Sequence, residues 1–352
     1  MADSGAERLR WRLTDDDGGQ PELFDAVETV PGTRELAGLE FLHVRAKRVI
    51  NRVPEASRMP FRHTINPYRG CSHACVYCFA RPTHEYLNLD RGRDFDTRIV
   101  VKVNAVERVE AELAAPRWGR ELVALGTNTD PYQPCEGRYR LTAGIVAALA
   151  AAGNPFSIVT KSPLVLRDVE VLSEAAARGL VRVDLSVGCL DRDVWRLTEP
   201  SAPSPERRLE TVAALNRAGI PCGVLVAPIL PGISDGQGQL DRLVRACVDA
   251  GAQSIAAVAL HLRPGVREHY LGWLAGARPE LLADHLIRYR GAYLPAGARR
   301  DVSARIQELA ADHRRRTGIP ARGALRARAI PRPRAEPSAA DLPEPAQLRL
   351  ME

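Results

Sequence analysis

Four times within residues 140–260 the chain runs through one unit: an amphipathic helical stretch, a glycine, and a short apolar segment. Gly153 precedes 156–160, Gly179 precedes 181–187, Gly219 precedes 223–227 and Gly251 precedes 254–260. Each glycine suits the left-handed position that ends a helix. The helix expected at 205–218 is the best marked, with Ser204 as its cap and Pro205 in its first turn. Strands separated by single helices pair in parallel only through right-handed crossovers, so the alternation specifies an α/β layer, doubly wound or barrel-like. Strands near 62–67 and 121–125 bring the count to six βα units. A further segment at 99–103, ahead of a helix beginning near Asn104, reads as an edge strand for which the pattern gives no place.

The chain has 352 residues, 45% of them hydrophobic. That suffices for one core of about 250 residues with extensions at either end. Residues 1–40, acidic around Asp15-Asp16-Asp17, read as a mobile polar leader, and 319–352 as a disordered Pro/Arg-rich tail. With no apolar stretch long enough to span a bilayer and no signal peptide at the N-terminus, the expected compartment is the cytoplasm. An odd count of seven cysteines also fits a reducing compartment better than a disulfide framework. Net charge is +6, but 299–334 alone holds eleven arginines against Asp301, Glu308 and Asp312, a net +8, so the remainder sums to −2. Two readings of that arginine-rich end, which includes Arg314-Arg315-Arg316, stand side by side. It grips the phosphates of a nucleic acid, or it is a solvated helix and tail in a chain that prefers arginine to lysine.

The chemistry concentrates in Asn66-Pro-Tyr-Arg-Gly-Cys-Ser-His-Ala-Cys-Val-Tyr-Cys-Phe-Ala-Arg81. Its spacing, C-x3-C-x-Tyr-C, lets one short loop wrap the thiols of Cys71, Cys75 and Cys78 around a metal centre. Thiolates are soft ligands that suit iron-sulfur clusters or zinc, and a protein-bound cubane ordinarily takes four of them. Three thiolates on a [4Fe-4S] cluster would leave one iron open to a small molecule, the mark of a catalytic metal. The competing reading is a structural zinc site with His73 or His84 as fourth ligand.

In parallel α/β folds ligands bind where the strands end at their carboxyl side. The polar motifs of this chain fall there: the cysteine loop, Gly126-Thr-Asn-Thr-Asp-Pro-Tyr-Gln-Pro-Cys-Glu136, Thr160-Lys161-Ser162, Asp184-Leu-Ser186, Pro228-Ile-Leu-Pro-Gly232 and His261-Leu-Arg263. The cysteine spacing resembles the signature of radical S-adenosylmethionine (SAM) enzymes. Over about residues 60–315 the series resembles their spore photoproduct lyase-like branch, also labelled DNA-repair-photolyase-like.

The resemblance implies an α/β fold of open partial (β/α)6 TIM-like barrel type over 41–318, with a C-terminal helical extension. It implies a [4Fe-4S] cluster on Cys71, Cys75 and Cys78, and SAM as the second cofactor. Reductive cleavage of SAM would yield a 5'-deoxyadenosyl radical that abstracts hydrogen from a substrate, with nucleic acid as one class. A low-potential donor such as flavodoxin or ferredoxin would supply the electron. Thr129 and Asp130 match the position that holds the SAM amino group, Lys161 the one that meets its carboxylate, and Ser186 a further cofactor contact, while Tyr77 shields adenine or cluster. Each residue also has a plain structural reading. Asp130 caps its own turn before Pro131, Lys161 is a solvated charge, Ser186 bonds to backbone, and Tyr77 anchors the core. The lyase's hydrogen-returning cysteine is matched here by Asn128, which leaves Cys135 and Cys189 as candidate donors and Cys222 and Cys247 as core residues. A second functional class also stands: a nucleic-acid-binding protein whose iron-sulfur or zinc site is structural.

Overall fold

A computed structural model describes residues 24–318 apart from 55, 56 and 58. Its strands, in chain order, are β1 (Phe24–Pro31), β2 (Glu40–Ala46), β3 (Ile50–Arg52), β4 (His63–Ile65), β5 (Tyr68–Arg69) and β6 (Arg98–Lys102). There follow β7 (Val123–Leu125), β8 (Phe156–Thr160), β9 (Val181–Ser186), β10 (Cys222–Ile229) and β11 (Ile255–Ala259). One sheet has the order β11-β10-β9-β8-β7-β4-β3, and every pairing from β4 to β11 is parallel. Four of these six parallel strands are those of the glycine-punctuated repeat, and the other two are those expected near 62–67 and 121–125. The sheet ends on β11 at one side and on the antiparallel β3 at the other, so the barrel is open and partial.

The repeat forms as it does for identifiable reasons. Gly153, Gly179, Gly219 and Gly251 all take positive φ, which lets each helix stop and the next strand begin without a Cβ clash. Ser204 accepts a hydrogen bond from the Arg207 N–H, and Pro205 opens the helix Pro205–Arg217 as its first residue. On the helix Leu141–Ala151 the buried Leu141, Ile145, Val146, Leu149 and Ala150 share one face towards the sheet. Val123–Leu125 is buried at every residue, as a strand covered on both faces must be.

The segment that had no place is β6. It leaves the barrel and joins a second, four-stranded sheet ordered β1-β2-β6-β5, parallel to β2 and antiparallel to β5. β1 pairs with β2 with Glu28 opposite His43 and Val30 opposite Phe41. That strand lies inside the stretch 1–40 expected to be a mobile leader, so the expectation fails from residue 24 onward. β1 is held by backbone pairing, which its half-polar sequence does not advertise. The leader's residues 1–23 and the tail 319–352 lie outside the described residues.

After β11 come the helices Val266–Ala277 and Leu282–Arg288, then Ala296–Thr317, which packs on β11 and on the helix Gln237–Asp249. There Arg314 donates to the carbonyls of Ala252 and Gln253, while Arg315 and Arg316 pair with Asp312. The arginine triplet is thus engaged within its own fold, in line with the solvated-helix reading. A small core beside the barrel gathers Leu230, Ile233, Leu260, Leu262, Tyr270 and Tyr289 around Cys75, Val76 and Tyr77. Segments following β10 and β11 thereby seat the cysteine loop in the mouth of the barrel. No helix among the described residues is long and apolar enough to cross a membrane.

Candidate cofactor site at the strand ends

β4 leads through Asn66 and Pro67 into β5, and the chain then turns at Gly70 into the thiol loop. At φ +86°, with the place of a Cβ only 2.9 Å from the His84 ring and 3.0 Å from the Phe95 carbonyl, this position admits glycine alone. The loop is tied down by its backbone. Cys71 N–H donates to Phe95 O at 3.0 Å, Val76 N–H to Thr198 O at 3.0 Å and Cys78 N–H to Cys75 O at 3.2 Å. Arg81, fully buried, donates to the Cys75 carbonyl at 2.9 Å and to those of Arg91 and Gly92 at 3.0 Å, and pairs with Asp96 at 2.9 Å. One guanidinium thus fixes the middle of the loop to the turn that follows it.

All seven cysteines are free thiols. Burial raises the pKa of Cys71, Cys75 and Cys78 alike, Cys75 to about 12 even though the Lys161 charge opposes the shift. Cys71 further feels the charges of Cys75 and Cys78, so the three sulfurs share one electrostatic neighbourhood. Such thiols stay protonated at neutral pH unless a metal displaces their protons. Among the described residues no three His, Cys, Asp or Glu side chains converge as ligands of one ion. A zinc site requires that convergence. A cubane does not, because each thiolate binds a different iron and the sulfurs stand farther apart. His84 Nε2 bonds the Arg98 carbonyl at 3.0 Å, and its Nδ1 is buried with no hydrogen-bond partner among the described residues. By donor chemistry the three thiols fit a cluster, whose irons each take one thiolate.

The loop after β7 holds the thiol loop from the side. Gln133, buried and not anticipated from sequence, accepts from Ser72 N–H at 3.0 Å and donates to Gly70 O at 3.1 Å and Thr129 Oγ1 at 3.0 Å. Thr129 in turn donates to Gly70 O at 2.7 Å. Asp130 is equally engaged: Oδ1 accepts from Thr160 Oγ1 at 2.6 Å and Tyr132 N–H at 2.9 Å, Oδ2 from Lys161 N–H at 2.7 Å, and His73 Nδ1 lies 3.4 Å from Oδ2. Burial would raise the Asp130 pKa, but His73 and the bonds from Thr160 and the Lys161 N–H outweigh it and hold it at about 2. Both side chains expected to meet the SAM amino group are thus bonded within the protein.

The two motif loops are also clasped to each other. Tyr132 OH donates to Asp168, and Arg167 bridges Asp168 and the wholly buried Glu136 at 2.8 Å. Glu136 also accepts from Tyr68 of the second sheet and from the Thr142 N–H at the start of the next helix.

At the far side Tyr77 OH donates to Glu199, whose other oxygen pairs with Arg208. Both partners are buried, and Arg208 also donates to Pro203 O at 2.8 Å and Ser186 O at 3.0 Å. Glu199 arrives at the end of the helix Arg192–Thr198, which Asp191 caps. Neither Glu199 nor Arg208 was anticipated. Glu199 is 122 residues from Tyr77, and one arginine among many gives no signal. Lys161 Nζ sits 5.8 Å from the Tyr77 ring centroid and, among the described residues, has no hydrogen bond or ion pair. Burial works against its charge, but Cys75 and Glu199 outweigh it and raise the pKa. The Ser186 hydroxyl donates to Ala227 O at 3.0 Å, the backbone bond foreseen as its plain reading.

Cys135 lies in the main core with no exposed surface, as do Cys222 and Cys247. No substrate reaches it, so its candidacy as hydrogen donor falls. Cys189, half-buried, shares the field of Glu199 and Arg208 with the site. Beyond Cys78 a short stack of rings faces outward: Phe79 to His261 at 5.5 Å, and His261 to Tyr293 at 5.6 Å, with the Arg299 guanidinium 5.4 Å from the Tyr293 ring.

The Radical SAM superfamily profile matches residues 65–244. The chain belongs to the radical SAM superfamily. An uncharacterized protein of Mycobacterium tuberculosis is 46% identical over 302 residues, 85% of this chain and 88% of the relative. The radical SAM Nα-GlyT isomerase of Pseudomonas phage M6 is 27% identical over 168 residues, 47% of this chain and 33% of its own. Among solved structures, a spore photoproduct lyase variant superposes with a TM-score of 0.56 at 17% identity, covering 81% of this chain and 83% of that one. The same lyase complexed with dinucleoside spore photoproduct gives 0.55 at 16% identity, with 78% and 79% covered. The chain shares that fold. It is a radical SAM enzyme, and the family works with SAM, a [4Fe-4S] cluster and a reductant.

Proposed function

We propose that Cys71, Cys75 and Cys78 hold the [4Fe-4S] cluster and that Lys161 receives the carboxylate of SAM beside it. The observation that carries this reading is one loop that gathers three free thiols beside an ammonium with no hydrogen-bond or ion-pair partner among the described residues. Lys161 is half-buried with no acceptor on its ammonium among the described residues, so an anionic ligand group is its natural complement. A cluster held there would supply the one electron for reductive carbon-sulfur cleavage of SAM to methionine and a 5'-deoxyadenosyl radical. The chain's own residues bind and enclose. Arg81 and Gln133 fix the loop, Tyr77 keeps water from its inner side while Glu199 and Arg208 hold its ring, and Ser186 lines the next strand end. Thr129 and Asp130 act as supports of the loop rather than as direct ligands. A flavodoxin or ferredoxin is the proposed electron donor.

For substrate we infer a nucleic acid. Spore photoproduct lyase, whose fold the chain shares, was captured with a dinucleoside photoproduct, and the exposed Phe79 and Tyr293 rings offer stacking area beside Arg299. Of the cysteines outside the loop only Cys189 is not wholly buried, so it is the thiol assigned to return hydrogen. Anaerobic reconstitution should give a brown protein with about four irons. With dithionite and SAM it should release 5'-deoxyadenosine, and Cys75→Ala should lose both colour and cleavage. A colourless protein retaining stoichiometric zinc contradicts the proposal. Deuterium passing from a labelled oligonucleotide into 5'-deoxyadenosine tests the substrate, and no transfer from any nucleic acid refutes it.

A further inference from the structure

Arg69 closes β5 and Lys102 closes β6. The two strands pair antiparallel with Tyr68 opposite Val101 and Arg69 opposite Val100. Lys102, two residues beyond Val100, is therefore the diagonal neighbour of Arg69 on the same face. Lys102 is 8% exposed and Arg69 half-buried, and neither side chain has a hydrogen bond or ion pair among the described residues. The neighbouring carboxylates are already engaged. Glu112, whose charge acts on Lys102, accepts from the N–H groups of Val49 at 2.8 Å and Ile50 at 3.2 Å, while Glu40 and Asp94 pair with Arg98. Two fully buried arginines are treated otherwise: Arg81 meets Asp96 and Arg208 meets Glu199. Burial and the Arg69 charge lower the Lys102 pKa to about 8, so the amine still carries its proton at neutral pH. The guanidinium stays charged at any working pH. Like charges on neighbouring strands destabilise a sheet, and a cation withdrawn from water calls for an acceptor.

We propose that Arg69 and Lys102 form an anion site, separate from the cofactor site, that takes a phosphate group. The guanidinium offers a planar fork of N–H donors and the ammonium a compact point charge. A phosphate monoester carries about 1.5–2 negative charges near pH 7, which matches the pair, whereas a carboxylate leaves one cation unmatched. The burial of Lys102 limits the occupant to a small group. Arg69, in the electrostatic reach of Tyr86, which is 67% exposed, is the side open to solvent. Because Arg69 stands two residues before Cys71, a phosphate held here braces the base of the thiol loop against β6 of the second sheet. The site stands independently of the cofactor reading.

The test uses the full chain, reconstituted anaerobically and exchanged into phosphate-free buffer. Isothermal titration calorimetry with inorganic phosphate should show one saturable site, and Lys102→Met and Arg69→Gln should each weaken it about tenfold or more. Phosphate should raise the melting temperature of the parent and leave that of Lys102→Met unmoved. Without phosphate, Lys102→Met should be no less stable than the parent, because it removes a buried charge that has no partner. Arg69→Gln supplies the same comparison of affinities should Lys102→Met fail to fold. Deoxyadenosine 5'-monophosphate separates two sources of the group: binding of inorganic phosphate alone supports a free ion, and binding of both supports the phosphate end of a nucleotide. No saturable phosphate binding by the parent overturns the inference. So does binding that both variants retain at the parent's affinity, which would place an adventitious ion only, elsewhere on this arginine-rich chain. A Lys102→Met chain that is destabilised equally with and without phosphate also overturns it, since the lysine would then serve the fold alone.

Discussion

The clasp between the loops after β7 and β8 and the thiol loop beside it stand at one end of one barrel, yet their polar atoms fare oppositely. In the clasp, Asp130, Tyr132, Glu136, Arg167 and Asp168 satisfy one another and the neighbouring backbone. In the mouth, Ser72 Oγ, His73 Nε2 and the Lys161 ammonium find no hydrogen-bond partner among the described residues. Buried polar groups are ordinarily paired, so the contrast separates architecture from function. Lys161 spans the boundary: its N–H belongs to the clasp and its ammonium to the mouth.

If that division is right, substitutions in the clasp should cost stability and those in the mouth should cost binding. The largest effect is expected at Glu136. Glu136→Ala removes one of the two carboxylates on Arg167 and leaves the Tyr68 hydroxyl and the Thr142 N–H without their acceptor, and chemical denaturation should show a loss of about 3 kcal/mol. A loss below 1 kcal/mol would mean that the clasp is not what joins the two sheets.

Next comes acid sensitivity. The Asp130 carboxyl is held near 2 against an ordinary 3.8, so its ionised form favours the folded state. That contribution is complete above about pH 4 and disappears as pH falls towards 2, amounting to about 2 kcal/mol. Urea midpoints of the metal-free protein between pH 5 and 2 should fall more steeply for the parent than for Asp130→Asn. Equal slopes would dissociate Asp130 from the clasp.

Lys161→Met should instead leave the denaturation midpoint nearly unchanged while weakening SAM binding about tenfold, equivalent to about 1.4 kcal/mol. A large stability loss with intact SAM affinity would move Lys161 to the structural side. The smallest effect is expected for Ser186→Ala, which removes a hydrogen bond to Ala227 O worth about 1 kcal/mol. Calorimetry should register that change, and a SAM affinity that falls with it would place the hydroxyl on the cofactor.

Sequence resolved the barrel well because short, largely apolar segments recur at regular spacing and four of them follow a helix that ends on a glycine; all six expected strands formed near their expected positions. The second sheet was harder. β1 reads as half-polar and is held by pairing with β2, and β6 looks like a barrel strand until its partners are known. The thiols were legible from spacing alone. Glu199, Arg208 and Gln133 were not, since each acts through a partner distant in sequence. The part played by Asp130 depends on geometry: a carboxylate with four partners and one with none are written with the same letter.

The central claim is that three protein thiolates leave one iron for SAM. Electron paramagnetic resonance of the dithionite-reduced protein, recorded with and without SAM, tests it most directly. A cluster signal whose g values shift when SAM is added is the expected result. A signal that stays the same at saturating SAM, as from a cubane with a fourth protein ligand, would contradict the account.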